Sequence, residues 1–123
     1  MTTSTSTPRD LLTPATLHVL ISLASGDRHG YGIKLDVEER TRGELSLGPG
    51  TLYEAIHRME GLGFIEVSPR PKSKRAEGSG RGRPRKYYRL TREGRKKLED
   101  ELVRLRDLVQ YARAHRLLPD TSS

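Results

Sequence analysis

Two basic runs, Arg70-Pro71-Lys72-Ser73-Lys74-Arg75 and Arg81-Gly82-Arg83-Pro84-Arg85-Lys86, carry the plainest chemistry in this sequence. Guanidinium and ammonium groups set this densely neutralise a row of anions, and a nucleic-acid backbone is such a row. The 123-residue chain has 23 Lys+Arg against 16 Asp+Glu, a net charge of +7. That excess is local. Residues 1–64 hold 6 basic and 8 acidic side chains, residues 65–94 hold 10 and 3, and residues 95–123 hold 7 and 5. The Gly/Ser-rich centre between the runs cannot pack a core, so the segment reads as an exposed loop. DNA or RNA phosphate is its expected destination; a solvated loop with no partner and an anionic lipid surface are the alternatives.

Other chemistries find little support. With no Cys there are no disulfides, thiolate nucleophiles or Cys-based zinc sites, and His18, His29, His57 and His115 lack metal-binding spacing. No nucleophile–base pair, phosphate-cradling glycine loop or carboxylate cluster stands at a useful spacing, so neither an enzyme nor a cofactor is expected. The longest apolar stretch, within residues 17–24, is far short of the ~20 residues of a membrane span, and the Ser/Thr-rich start has no signal core. The expected location is the cytoplasm. Hydrophobic residues make up 33% of the chain, which puts part of it outside any core.

The elements that would position the charge follow from periodicity. Residues 1–10 and 119–123 are polar tails, expected to be disordered. Thr13 is an N-cap and Pro14 a first-turn proline for a largely buried helix through Leu17, Leu20, Ile21 and Ala24, stopped by Gly26. After a turn at Asp27-Arg28, a second helix opens at His29-Gly30 and runs to about Arg42, with Ile33 and Val37 facing inward and Tyr31 and Leu35 as further candidates for that face. Gly48 and Pro49 begin a third, with Leu52, Ala55 or Ile56, and Met59 inward, ended by Gly61 and Gly63. Residues 64–67 and 86–91 read as strands joined by the basic loop, with Tyr88 and Leu90 on one face and Tyr87 and Arg89 on the other. The fold class is therefore mostly α with a small β-hairpin: a winged helix-turn-helix domain over residues 11–91 with a long basic wing at 68–86. Thr91 caps a last helix, residues 92–118, on which Leu98, Leu102, Leu105, Val109 and Ala112 step by four and three and Val103 and Leu108 widen the stripe. Self-association through this helix is expected, with folding back on its own domain as the alternative.

Three ordered blocks carry a family resemblance: His29-Gly30-Tyr31-Gly32-Ile33; Gly50-Thr51-Leu52-Tyr53 with Met59-Glu60-Gly61-Leu62-Gly63-Phe64-Ile65; and Gly82-Arg83-Pro84-Arg85-Lys86-Tyr87-Tyr88-Arg89-Leu90-Thr91-Arg92-Glu93-Gly94. Together they resemble the PadR family of bacterial transcriptional regulators over residues 11–118, and the single C-terminal helix is similar to its short subfamily. The resemblance implies a winged helix-turn-helix, a C-terminal dimerisation helix, and repression relieved by a small molecule. The Arg-rich wing between Ser68 and Lys86 departs from the pattern.

On that reading the third helix enters the major groove. Gly50 lets backbone approach, while Thr51, Tyr53, Glu54, His57 and Arg58 reach phosphates or base edges. Tyr53 has the alternative of stacking on the domain, His57 of being an ordinary surface imidazole, and Tyr31 of being core. Beside a phosphate Glu54 has to accept from a cytosine amino group or turn away. His29, Gly30 and Tyr31 present a helix N-terminus to one phosphate. Arg81, Arg83, Arg85 and Lys86 bind DNA through the wing; Arg81-Gly82-Arg83-Pro84 resembles a minor-groove AT-hook core, with plain phosphate contact as the alternative. Leu98, Leu102, Leu105, Leu108, Val109 and Ala112 form the dimer seam. The expected partners are double-stranded DNA with an inverted-repeat operator, a second copy of the chain and an unknown small-molecule effector. A protein-interaction module and a non-specific nucleic-acid binder are the competing functions.

Overall fold

A computed structural model describes residues 12–69 and 86–119. Helix α1 (Pro14–Ala24) opens with a reciprocal cap: Thr13 Oγ1 accepts from the Thr16 amide at 3.1 Å, and Thr16 Oγ1 accepts from the Thr13 amide at 2.9 Å. Val19, Leu20 and Leu23 are fully buried because α1 is the central post, touching every other helix and the sheet. Helix α2 (Gly30–Arg40) ends two residues before the point its periodicity suggests. Arg42 and Gly43 take positive φ of 55° and 80°, a left-handed turn that helical hydrogen bonding cannot continue through. Ile33 and Val37 of α2 are buried, but Tyr31 and Leu35 are 53% and 46% exposed, against the inward placement expected of them. Each lies two residues from Ile33, about 200° around the helix, on the outer side.

Helix α3 (Pro49–Gly61) has Gly48 as N-cap and buries Leu52, Ala55, Ile56 and Met59. The sheet holds one strand more than the expected hairpin. Strand β1 (Arg28–His29), where a turn was expected, pairs with β3 (Tyr87–Leu90), which also pairs with β2 (Ile65–Val67); both ladders are antiparallel, with Arg28 opposite Tyr88 and Val67 opposite Tyr88 from the other side. Tyr88 points into the core, as alternation requires. Phe64 falls just outside β2, its amide bonded to Met59 O to close α3.

Helix α4 (Arg92–Ala114) starts on the Thr91 cap and ends four residues earlier than expected, where Arg116 adopts φ of 57° and the Leu117 amide turns back to Ala112 O. Its first turn lies hard against the strand start: a Cβ on Gly94 would sit 1.9 Å from Phe64 O. Glu101 is buried, with Arg104 closing over its carboxylate. The expected tails at 1–10 and 119–123, and most of the wing, lie outside the described residues, apart from Pro119.

Helices α1 and α2 are tied by a charged cluster. Asp36 Oδ2 accepts from Arg40 Nε at 2.9 Å and Oδ1 lies 3.6 Å from Arg28 Nη2, while Arg28 Nε donates to Ser22 O at 3.0 Å and Arg40 reaches His18. Partial burial opposes ionisation of Asp36, but the bond from Arg40 and the charges of Arg40 and Arg28 outweigh it and hold the carboxyl below its ordinary value. A depressed carboxyl contributes stability above its unfolded value, and that contribution is lost as the pH falls below 3.8 toward the folded value. The Asp36→Asn variant should therefore be less stable than the parent at pH 7, by about 1 kcal/mol given its partly exposed site. Thermal melts at pH 7 and pH 3 check this: the difference should shrink at the acid end, and an equal difference at both would refute the ionic role.

Candidate nucleic-acid interface

The apolar residues of α3 fall at 52, 55, 56 and 59, so the helix turns Gly50, Thr51, Tyr53, Glu54, His57 and Arg58 together to solvent. Glu54, His57 and Arg58 make no ion pair among the described residues. Gly48 supplies no side-chain cap, which leaves the first-turn amides of α3 without a side-chain acceptor. A Cβ at Gly50 would meet nothing within 4 Å, so the packing of this domain does not require glycine there. One edge of the face opens into a groove of about 230 Å³ between Thr13, Ala15 and Thr16 of the α1 start and Thr51, Glu54, Ala55 and Arg58.

Tyr53 rests on its own domain, the alternative held for it: its phenol lies across Gly30, the first residue of α2, while the side chain stays half exposed. His29 is committed inward. Its Nδ1 accepts from the Gly32 amide at 3.0 Å, capping α2, and its ring meets Tyr87 edge-on at 5.1 Å. The free helix start imagined around His29 is thus partly closed by His29 itself, and Gly30 is buried beneath Tyr53. Tyr31, by contrast, is exposed beside them and is not core.

The wing is rooted firmly. The Ser68 amide donates to Tyr87 O at 2.7 Å, Ser68 Oγ donates to Asp27 Oδ2 at 2.6 Å, and Arg89 Nε meets Glu66 Oε2 at 2.7 Å across the ladder. Lys86 is exposed where the loop rejoins β3. Arg81, Arg83 and Arg85, with the first basic run, lie outside the described residues. On α4, Leu98 is only 4% exposed and belongs to the core of its own chain, a correction to its place in the seam. Beyond it Leu102, Leu108 and Val109 are exposed, Leu105 and Ala112 half-buried, and Val103 and Tyr111 exposed nearby.

The model of the transcriptional regulator PadR-like family matches residues 19–100. The chain belongs to that family. Like other PadR-like proteins it is a transcriptional regulator, not an enzyme. It is 31% identical over 94 residues to the transcriptional regulator Rv3488 of Mycobacterium tuberculosis, spanning 76% of this chain and 78% of that one. Among solved structures, a PadR family transcription regulator from Clostridium difficile superposes with a TM-score of 0.65 at 28% identity, covering 84% of this chain and 98% of the other. Bacillus subtilis PadR in complex with operator DNA superposes at 0.60 over 73% of this chain and 47% of that one; at 23% identity the likeness is one of fold. The mostly helical architecture with a small sheet is thus the PadR-like winged helix. Among the described residues no helix of this PadR-like chain is long and apolar enough to cross a membrane.

The Cα of Gly30 under the Tyr53 ring and the β1–β3 pairing join residues far apart in the chain. No local pattern announces them. The nearest signal was the His-Gly-Tyr-Gly block itself, whose first glycine is buried although its backbone is ordinary.

Proposed function

We propose that this PadR-like chain is a dimeric repressor that binds an inverted-repeat operator and is released by a small molecule. The observation that carries this reading is the outward face of α3, where Thr51, Tyr53, Glu54, His57 and Arg58 stand together on a helix whose reverse side is locked into the core. A major groove admits such a helix, and Thr, His and Arg there can bond to base edges or phosphates. The operator complex of the Bacillus subtilis relative supports DNA as the partner. The row of exposed apolar residues on α4 supports a second copy as the other partner, because water-exposed Leu102, Leu108 and Val109 gain by mutual burial. A two-fold dimer sets two α3 helices about 34 Å apart, one turn of DNA, and so reads an inverted repeat. An effector seated between α1 and α4 across that dimer would alter the spacing and release the DNA.

The test is DNase footprinting of the purified protein on DNA upstream of its own gene: two protected half-sites one turn apart are expected, and uniform protection would refute sequence-specific binding. The charge of the wing sets a second expectation. With about five phosphate contacts per protomer, log K against log[salt] should slope near −9 for the dimer. Replacing both Arg81 and Arg83 with Ala should flatten that slope by about 3 to 4, and should weaken preference for A·T-rich flanks if the arginines enter the minor groove. A parent slope flatter than about −3 would remove the wing from the DNA.

A further inference from the structure

Gly30 is the first residue of α2, buried, with a backbone conformation open to any residue: no left-handed φ demands glycine there. Alanine would ordinarily be the better helix former at this point and would lose less entropy on folding. The reason for glycine is a neighbour. A Cβ at this position would lie 2.5 Å from Tyr53 Oη, 2.9 Å from Cζ and 3.0 Å from Cε1. Tyr53 comes from the outward face of α3 and is 51% exposed, so one edge of its ring rests on Gly30 while the rest faces the solvent that DNA would displace.

We infer that Gly30 is a positioning residue for DNA recognition, its missing side chain forming the seat that holds the Tyr53 phenol in one orientation at the junction of α2 and α3. This rests on the reading of α3 as the DNA-contacting helix. The obstacle met by an added Cβ is the far end of a flexible side chain, not backbone, so the domain can accept alanine by letting Tyr53 swing away. What is lost is the orientation of the phenol. A phenol already seated before binding saves the ordering cost that a loose one incurs, and even for two torsions this is a factor of up to about five per protomer and about 25 for a dimer engaging two half-sites.

The test uses the full chain and its footprinted operator fragment, with Gly30→Ala, Tyr53→Ala and the double variant compared by fluorescence anisotropy and thermal melting. Gly30→Ala should weaken operator binding about tenfold or more while its melting temperature stays within about 2 °C of the parent or rises. In the Tyr53→Ala background the same substitution should change affinity by less than about twofold, the non-additivity expected of a residue that acts only through Tyr53. Nuclear Overhauser contacts between the Tyr53 ring and the Gly30 α-protons should be present in the parent. An equal loss in both backgrounds, a melting temperature that falls along with affinity, or unchanged operator binding by Gly30→Ala overturns the proposal. If Tyr53→Ala itself leaves operator affinity unchanged, the placement of Tyr53 on DNA falls and takes this inference with it. If Tyr53→Ala weakens binding and Gly30→Ala does not, only the seat is refuted.

Discussion

Gly94→Ala will destabilise the domain by about 3 kcal/mol or more, at the upper end of what overpacking usually costs, and lower its melting temperature by roughly 12–20 °C. Elsewhere in a helix the same change is worth up to about 1 kcal/mol in the other direction. Here the added methyl would fall 1.9 Å from Phe64 O and 2.8 Å from Phe64 C, inside the van der Waals envelope of backbone atoms. That carbonyl cannot retreat cheaply. It accepts from the Thr91 amide at 3.0 Å, and the Phe64 amide donates to Met59 O at 2.9 Å, so moving the peptide would loosen the end of α3 and the cap of α4 together. Scanning calorimetry of the variant checks this, and a melting temperature at or above that of the parent would refute the close approach. The contrast with Gly30 is in the obstacle: a hinged phenol at one site, fixed backbone at the other.

Leu102→Asp together with Val109→Asp should convert the protein to a monomer at micromolar concentration and weaken operator binding by about a hundredfold or more, the factor that linking two half-sites commonly supplies. Both residues are more than 40% exposed in a single chain, so the carboxylates remain hydrated in the monomer and its fold is little changed. In a dimer they would be buried without partners, a cost of several kcal/mol each. Sedimentation and anisotropy measure the two effects. The salt slope should fall to about half as one protomer's phosphate contacts are lost. A dimer that survives both substitutions would place the interface elsewhere.

The sequence made some elements legible and hid others for definite reasons. Helices α1 and α3 could be read because cap, first-turn proline and apolar spacing agree at Thr13-Pro14 and Gly48-Pro49. Strand β1 could not: two residues carry no alternation, and the pairing that makes Arg28 and His29 a strand lies nearly sixty residues away at Tyr87 and Tyr88. Helices α2 and α4 end earlier than their periodicity suggests because arginine in a left-handed conformation, at Arg42 and Arg116, gives no glycine-like warning in the sequence. The polar face of α3 emerged from its periodicity alone. The inward commitment of His29 did not, since a capping imidazole and a phosphate-binding one occupy the same place in the sequence. Leu98 fits the heptad as well as Leu102 does, and only the packing of α4 on its own chain separates core from seam.

The two roots of the wing have a consequence for how this scaffold can vary. Val67 ends β2 opposite Tyr88, the next residue Ser68 is pinned to Tyr87 and Asp27, and β3 is paired on its other edge with Arg28 and His29, the residues just before α2. The direction in which the wing sets out is thus decided by the helix-turn-helix and not by the segment that joins its strands. Lengthening that segment adds closure entropy only slowly, about 0.6 kcal/mol for each doubling. Insertion there extends reach while leaving aim untouched, so if the wing binds DNA as proposed, a lineage can retune how far along the duplex the protein grips without rebuilding the helices that would choose where.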